Sequence, residues 1–188
     1  MRKKILVFFG LLVVSFIAGI IFAPFIQEGS YPLKEWVDKA IHPPGISRMV
    51  ILYFSTPEEE VLTPVERKIT LPEGTNSQIK AILQELIKGP QDTSYEPTLP
   101  AETKIRAAYV RESTIYVDFF SPLTEKHPGG TSAELISIYS VVNTLLENFP
   151  AYSQVQILID GKPQQTLAGH IDIRGPFAKN SEIVKRPK

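Results

Sequence analysis

Between residues 131 and 150 the apolar positions fall at three- and four-residue steps: Leu135, Ile138, Tyr139, Val142, Leu145, Leu146 and Phe149. That period lays one apolar stripe along an α-helix. Gly129 and Gly130 stand before it and Pro150 ends it. Thr131 and Glu134 have the spacing of a capping box, in which each side chain satisfies a backbone N–H that the first turn leaves unpaired. A helix with a single apolar stripe is unstable alone in water, so an apolar sheet must cover it.

The flanking sequence supplies strands. Residues 48–55 are a near-continuous apolar and aromatic run, and residues 66–71 alternate. Residues 104–110 and 114–119, joined through Arg111, Glu112 and Ser113, predict a hairpin. In its second strand Ile115, Val117 and Phe119 face one side, Tyr116 and Asp118 the other. Residues 154–159 put Val155, Ile157 and Ile159 on one face. Asp160-Gly161 is a turn signal, and Thr166-Leu167 begins a short return strand that residues 170–173 extend. A second capping box, Thr75 with Gln78, opens a helix whose buried face is Ile79, Ile82, Leu83, Leu86 and Ile87, stopped by Gly89-Pro90. The order ββαββαββ predicts an α+β fold: a small sandwich with two helices packed on one face of a mostly antiparallel sheet. The domain is expected over residues 48–177, with residues 178–188 a disordered tail.

Residues 1–26 read differently. Arg2, Lys3 and Lys4 precede residues 5–26, which carry no charged side chain. The run matches the roughly 20 residues of a spanning helix and exceeds the roughly 7–15 of a signal-peptide core. It predicts a retained transmembrane anchor with the N-terminus cytoplasmic and the domain extracytoplasmic, periplasmic or on the cell surface. Ala18-Gly19 and Ala23-Pro24 offer the small residues of a cleaved signal, although proline after Ala23 disfavours cleavage there. Residues 27–47 form a juxtamembrane segment and linker. Leu33, Trp36, Val37, Ala40 and Ile41 keep helical spacing, suited either to the membrane surface or to packing on the domain. His42-Pro43-Pro44-Gly45 breaks that pattern.

Composition narrows the function classes. The chain of 188 residues balances 20 basic against 20 acidic side chains, so without the N-terminal triplet its body is mildly acidic. Such a body is a poor nucleic-acid partner, because neutralising phosphates needs clustered lysine and arginine. The absence of cysteine removes disulfides, thiolate metal sites, cysteine nucleophiles and a lipoprotein acylation site together.

Candidate chemistry is sparse. His42, His127 and His170 lie far apart, without the close ligand spacing of a zinc site. His170 and Asp172 could share a strand face and Asp118 could join them, which would make a hydrolase; no G-x-S-x-G turn supplies the serine. Glu58, Glu59 and Glu60 lack the alternating oxygen ligands of a calcium loop and read as a solvated turn. Gly129-Gly130 lacks the context of a phosphate loop and makes a turn. Tyr95, Tyr109, Tyr116 and Tyr152 cannot all be core, and aromatics favour protein interfaces and sugar platforms. The expectation is a non-catalytic chain with no cofactor and no metal.

Several fragments in order resemble the sporulation and spore germination (GerMN) family: Leu52-Tyr53-Phe54; Pro64, Glu66 and Arg67; Leu86 with Gly89-Pro90; Leu99-Pro100 and Thr103; Val117-Asp118-Phe119; Val142-Asn143-Thr144-Leu145 with Phe149-Pro150; and Leu167-Ala168-Gly169-His170 with Asp172. The resemblance spans residues 49–177. Glu102 departs from it where glycine is expected, and Phe120 stands in place of a small polar residue. The resemblance implies a single extracytoplasmic domain without catalytic residues, similar in fold to ring-building modules that assemble envelope complexes. It implies an interaction or assembly module whose partners are envelope proteins or copies of itself. Peptidoglycan is the alternative partner, carried by the tyrosines.

Overall fold

The structure, a computed structural model, describes residues 45–57 and 59–185. The expected anchor at residues 5–26 and the helical pattern of the juxtamembrane segment lie outside these residues. Among the described residues no helix is long and apolar enough to cross a membrane.

Among the described residues six strands make two sheets. β1 (Ile46–Thr56) and β2 (Glu59–Leu71) pair as one antiparallel hairpin. β3 (Ile105–Arg111), β4 (Thr114–Phe119), β5 (Gln154–Ile159) and β6 (Phe177–Ala178) form the second sheet, in that order. The helices are α1 (Thr75–Ile87), the single-turn α2 (Pro122–Glu125) and α3 (Thr131–Asn148). α1 and α3 pack on each other; α1 also touches β1, β2 and β3, and α3 touches β1, β2 and β5. The expected single, mostly antiparallel sheet is therefore corrected. The first hairpin stands as a sheet of its own, and β4 and β5 run parallel. α3 carries the chain between β4 and β5, and strands joined by a helical crossover are parallel.

The predicted apolar faces supply the core, and α3 and β5 are buried on more sides than one. Val50, Leu52 and Phe54 from β1, Ile79, Ile82, Leu83 and Leu86 from α1, and Ile115, Val117 and Phe119 from β4 share one core. Ile138, Val142 and Leu145 from α3 and Val155, Ile157 and Ile159 from β5 complete it. A smaller cluster gathers Tyr53, Leu62, Ile136 and Ile183.

Four local expectations change. β2 starts at Glu59, so most of the expected acidic loop is strand; Pro64 is tolerated because β2 lies at a sheet edge. β1 begins at Ile46, inside the expected linker. Neither capping box forms: Gly74 and Gly130 are the N-caps at φ +85° and +93°, without a side-chain hydrogen bond. Their carbonyls accept from Gln78 and Glu134 N–H, which moves the expected cap residues inside the helix. The return strand reduces to one isolated bridge, Thr166 to Asp172, and the strand that joins the sheet is β6.

Of the expected disordered tail, residues 178–185 are described, and they hold a fixed place on the domain. Residues 179–185 lie against β2 and α3, where Ile183 is buried. They are held by Leu62 N–H to the Ile183 carbonyl at 2.7 Å and Lys185 N–H to the Leu62 carbonyl at 2.8 Å. A β2 edge with unpaired backbone groups gives the segment somewhere to go.

Candidate functional site

The polar side chains buried along α3 organise the molecule's surface features. Glu134 is fully buried one turn into the helix. Its Oε1 accepts the His170 N–H at 3.0 Å and pairs with His170 Nδ1 at 2.7 Å, and its Oε2 accepts the Ile171 N–H at 3.0 Å. An ionised carboxylate only accepts, so Nδ1 carries the ring proton. Burial pushes the Glu134 pKa up, but hydrogen bonds from Ile171, the His170 ring, Ala168 and the His170 backbone outweigh it and hold the group below the ordinary glutamate value. The Leu167-Ala168-Gly169-His170 fragment is thus a loop wrapped over one carboxylate.

Three residues further along α3, Ser137 meets His127 across a 2.9 Å contact from Nε2 to Oγ. Gly129 N–H donates to Nδ1 at 3.0 Å, which makes Nδ1 the acceptor and places the ring proton on Nε2. The Ser137 hydroxyl donates to the Thr98 carbonyl at 2.6 Å. Serine therefore receives a hydrogen bond from histidine and gives its own to a carbonyl, opposite in polarity to an activated nucleophile. Burial lowers the His127 pKa, ahead of the opposing Glu134 charge and the Ala133 backbone hydrogen bond, so the ring is neutral as this pattern requires.

The residues of the candidate hydrolase, weighed against the non-catalytic expectation, go to separate partners. Asp118 is buried, receives Arg106 Nε at 2.6 Å and accepts the Gly161 N–H at 2.8 Å. Gly161 has φ +81°, a left-handed backbone conformation that favours glycine. Asp172 is exposed and forked by Arg174, whose charge-assisted hydrogen bonds lower its pKa to about 2. His170 sits on Glu134. Among the described residues no group of three His, Asp or Glu side chains could hold a metal ion.

Arg67 does quieter work. It is 7% exposed, spans the end of α1 by donating to the Glu85 carbonyl at 3.0 Å and the Gly89 carbonyl at 2.8 Å, and lies over the Phe54 ring. A cation there satisfies carbonyls the last turn leaves free and complements the helix dipole. Of the four tyrosines, Tyr95 and Tyr152 pack against the core. Tyr109 and Tyr116 are opposite each other on β3 and β4 and stack in parallel with centroids 5.0 Å apart. Tyr109 is 39% exposed. An open cavity of about 630 Å³ lies at the start of α3, lined by Pro97, Thr98, Pro100, Pro128 and Ser132 with Glu60. Ser132 Oγ donates to Glu60 there at 2.8 Å.

Sequence reasoning gave no role to Asn143, Thr144 and Asn148; the first two entered only within a family fragment, the third only as part of a helical run. The signal was their position: polar residues interleaved with Val142, Leu145 and Leu146 on a strongly apolar helix. Asn148 receives Ile51 N–H at 3.2 Å and donates to the Ile51 carbonyl at 2.7 Å, and Thr144 Oγ1 receives Tyr53 N–H at 3.1 Å. Asn143 clasps the backbone of Asn180, donating to its carbonyl at 2.8 Å and receiving its N–H at 3.0 Å.

Comparison with known proteins accounts for this architecture. Among solved structures, a Clostridium perfringens protein assigned as a lipoprotein is 24% identical, with a TM-score of 0.53 over 71% of this chain and 88% of that one. The tandem GerMN domains of the sporulation protein GerM from Bacillus subtilis are 18% identical, with a TM-score of 0.57 over 74% of this chain. The match covers 48% of that tandem, so this chain spans about half of it. The first GerMN domain of the same protein is 20% identical, with a TM-score of 0.51 over 74% of this chain and 98% of that domain. Likenesses at these identities show the fold. Comparison with curated proteins gives no match. The family model described as sporulation and spore germination (Germane) matches residues 51–165, more than half the chain; the chain belongs to that family.

Proposed function

We propose that this chain is a non-catalytic, membrane-anchored extracytoplasmic module that assembles with copies of itself or with another protein of the bacterial envelope. The carrying observation is how its reactive side chains are used. Glu134 with His170, His127 with Ser137, and Asp118 with the Gly161 N–H each tie a loop to the fold, and Asp118 also pairs with Arg106 across the β3–β4 hairpin. The likeness to sporulation GerMN domains and to a protein assigned as a lipoprotein supports an envelope setting, and the uncharged residues 5–26 supply the anchor. Fold alone does not choose a partner.

Crosslinking the full-length protein in living cells, then purifying it for mass spectrometry, tests this. Ladders of the chain itself, or one recurrent envelope protein, are the expected result; a strict monomer with nothing attached counts against it. His170→Ala is expected to leave cellular function intact, and its loss in a variant that still folds would revive the hydrolase.

One observation favours a second reading. The stacked, partly exposed Tyr109 and Tyr116 pair suits a cell-wall glycan platform. Co-sedimentation with purified sacculi, lost in Tyr109→Ala, would move this reading to first place.

A further inference from the structure

We propose that the groove between β2 and α3 is a strand-acceptor site for residues 179–185 of a second copy of this chain, a site that a single copy fills with its own segment. The inference rests on the assembly reading above and names its surface.

The groove reads main chain. β2 pairs with β1 on one side only, and on the other Leu62 uses both its N–H and its carbonyl on the segment, in a parallel bridge to Val184. Asn143, fully buried, holds the backbone N–H and carbonyl of Asn180 together. Backbone recognition of this kind is how an extended peptide adds to a sheet edge. Apolar side chains supply the rest: Ile183 enters the cluster of Tyr53, Leu62 and Ile136, and Val184 packs against it. At the entrance Glu147 pairs with the Lys179 ammonium and the Tyr53 hydroxyl.

Each of these contacts joins the segment to β2, to α3 or to the cluster between them. The same segment from a second copy makes the identical set, and exchanging an identical element between protomers is a low-cost route to association. The segment suits exchange. Lys179, Ser181, Glu182 and Lys185 are exposed, Ile183 alone is buried, and the only element leading into the segment is the two-residue β6.

The chain's lack of cysteine makes a clean test. Full-length Leu62→Cys and Val184→Cys proteins carrying different tags are mixed and mildly oxidised; the double variant reports on seat geometry by closing within one chain. A disulfide between the two tagged copies is the expected result. A double variant that closes while the mixture yields no intercopy bond overturns the proposal, as does a double variant that fails to close. Cellular crosslinking of the internally closed double variant separates the two readings. Ladders that persist leave assembly standing and remove strand exchange, while ladders that vanish support exchange. A different envelope protein linked at position 62, with no self-linkage, overturns the second copy as occupant.

Discussion

Fully buried, the Glu134 carboxylate replaces its hydration with N–H groups from Ile171, His170 and Ala168 and with the His170 ring. Glutamine is nearly the same shape but turns an NH2 group toward those donors. Glu134→Gln is expected to lose about 2 kcal/mol of stability, because buried donors are left unpaired. A denaturation midpoint equal to the parent's would remove Glu134 as the hub. Acid sensitivity follows from the same group. Its folded pKa lies below its ordinary value of 4.5, so the unfolded chain takes up the proton first as pH falls. Its stabilisation is full above about pH 4.5 and is lost as pH drops through the folded value. His127 has the same sign higher up: its pKa is lowered from 6.5, so stability declines as pH falls below that value toward the folded one. Thermal melts across the acid range should show stability falling in an upper and a lower region, the upper fall reduced in His127→Gln and the lower reduced in Glu134→Gln, with Asp172 still contributing to the lower.

At the scale of elements, α3 closes an edge. β1 pairs with β2 on one side, and on the other its Ile51 and Tyr53 backbone groups bond to Asn148 and Thr144. A helix side-chain row thus replaces a missing strand, which satisfies backbone groups that would otherwise be orphaned. Asn148→Ala is expected to cost about 1–3 kcal/mol. Amide hydrogen exchange at Ile51 should accelerate while Leu83, inside α1, stays protected; uniform loss of protection would show that the contact is not local. The unformed capping boxes belong to this scale too. Gly130 at φ +93° takes the cap position, which advances Glu134 to where the loop at residues 168–171 can reach it.

Across the whole molecule, α1 and α3 tie the two sheets into one core. Leu145, buried in that core, is expected to cost about 2–5 kcal/mol when cut to alanine, the usual range for a large-to-small core change. Because both sheets lean on the same helix, far-ultraviolet dichroism and tyrosine fluorescence should lose signal in one coincident transition. Two separated transitions would show that the β1–β2 sheet stands alone.

Much of this fold is legible in the residues themselves. The buried face of α1, the β3–β4 hairpin and the extents of α3, β4 and β5 emerge as read, because each depends on neighbours a few positions apart, whereas α3 and β5 are buried on more sides than the single stripe and the alternation predict. The family fragments are legible in the same way. What the sequence could not decide is which surfaces meet. Two sheets in place of one, the parallel β4–β5 pair, the seating of residues 179–185 and the capture of His170 by Glu134 rest on partners far apart in the chain. Asn148 finds Ile51 across 97 residues, and Glu134 finds His170 across 36. A buried polar side chain looks in sequence like a break in an apolar stripe. Only packing says which backbone group it was placed to satisfy, because the desolvation that forces the pairing exists only once the chain has folded.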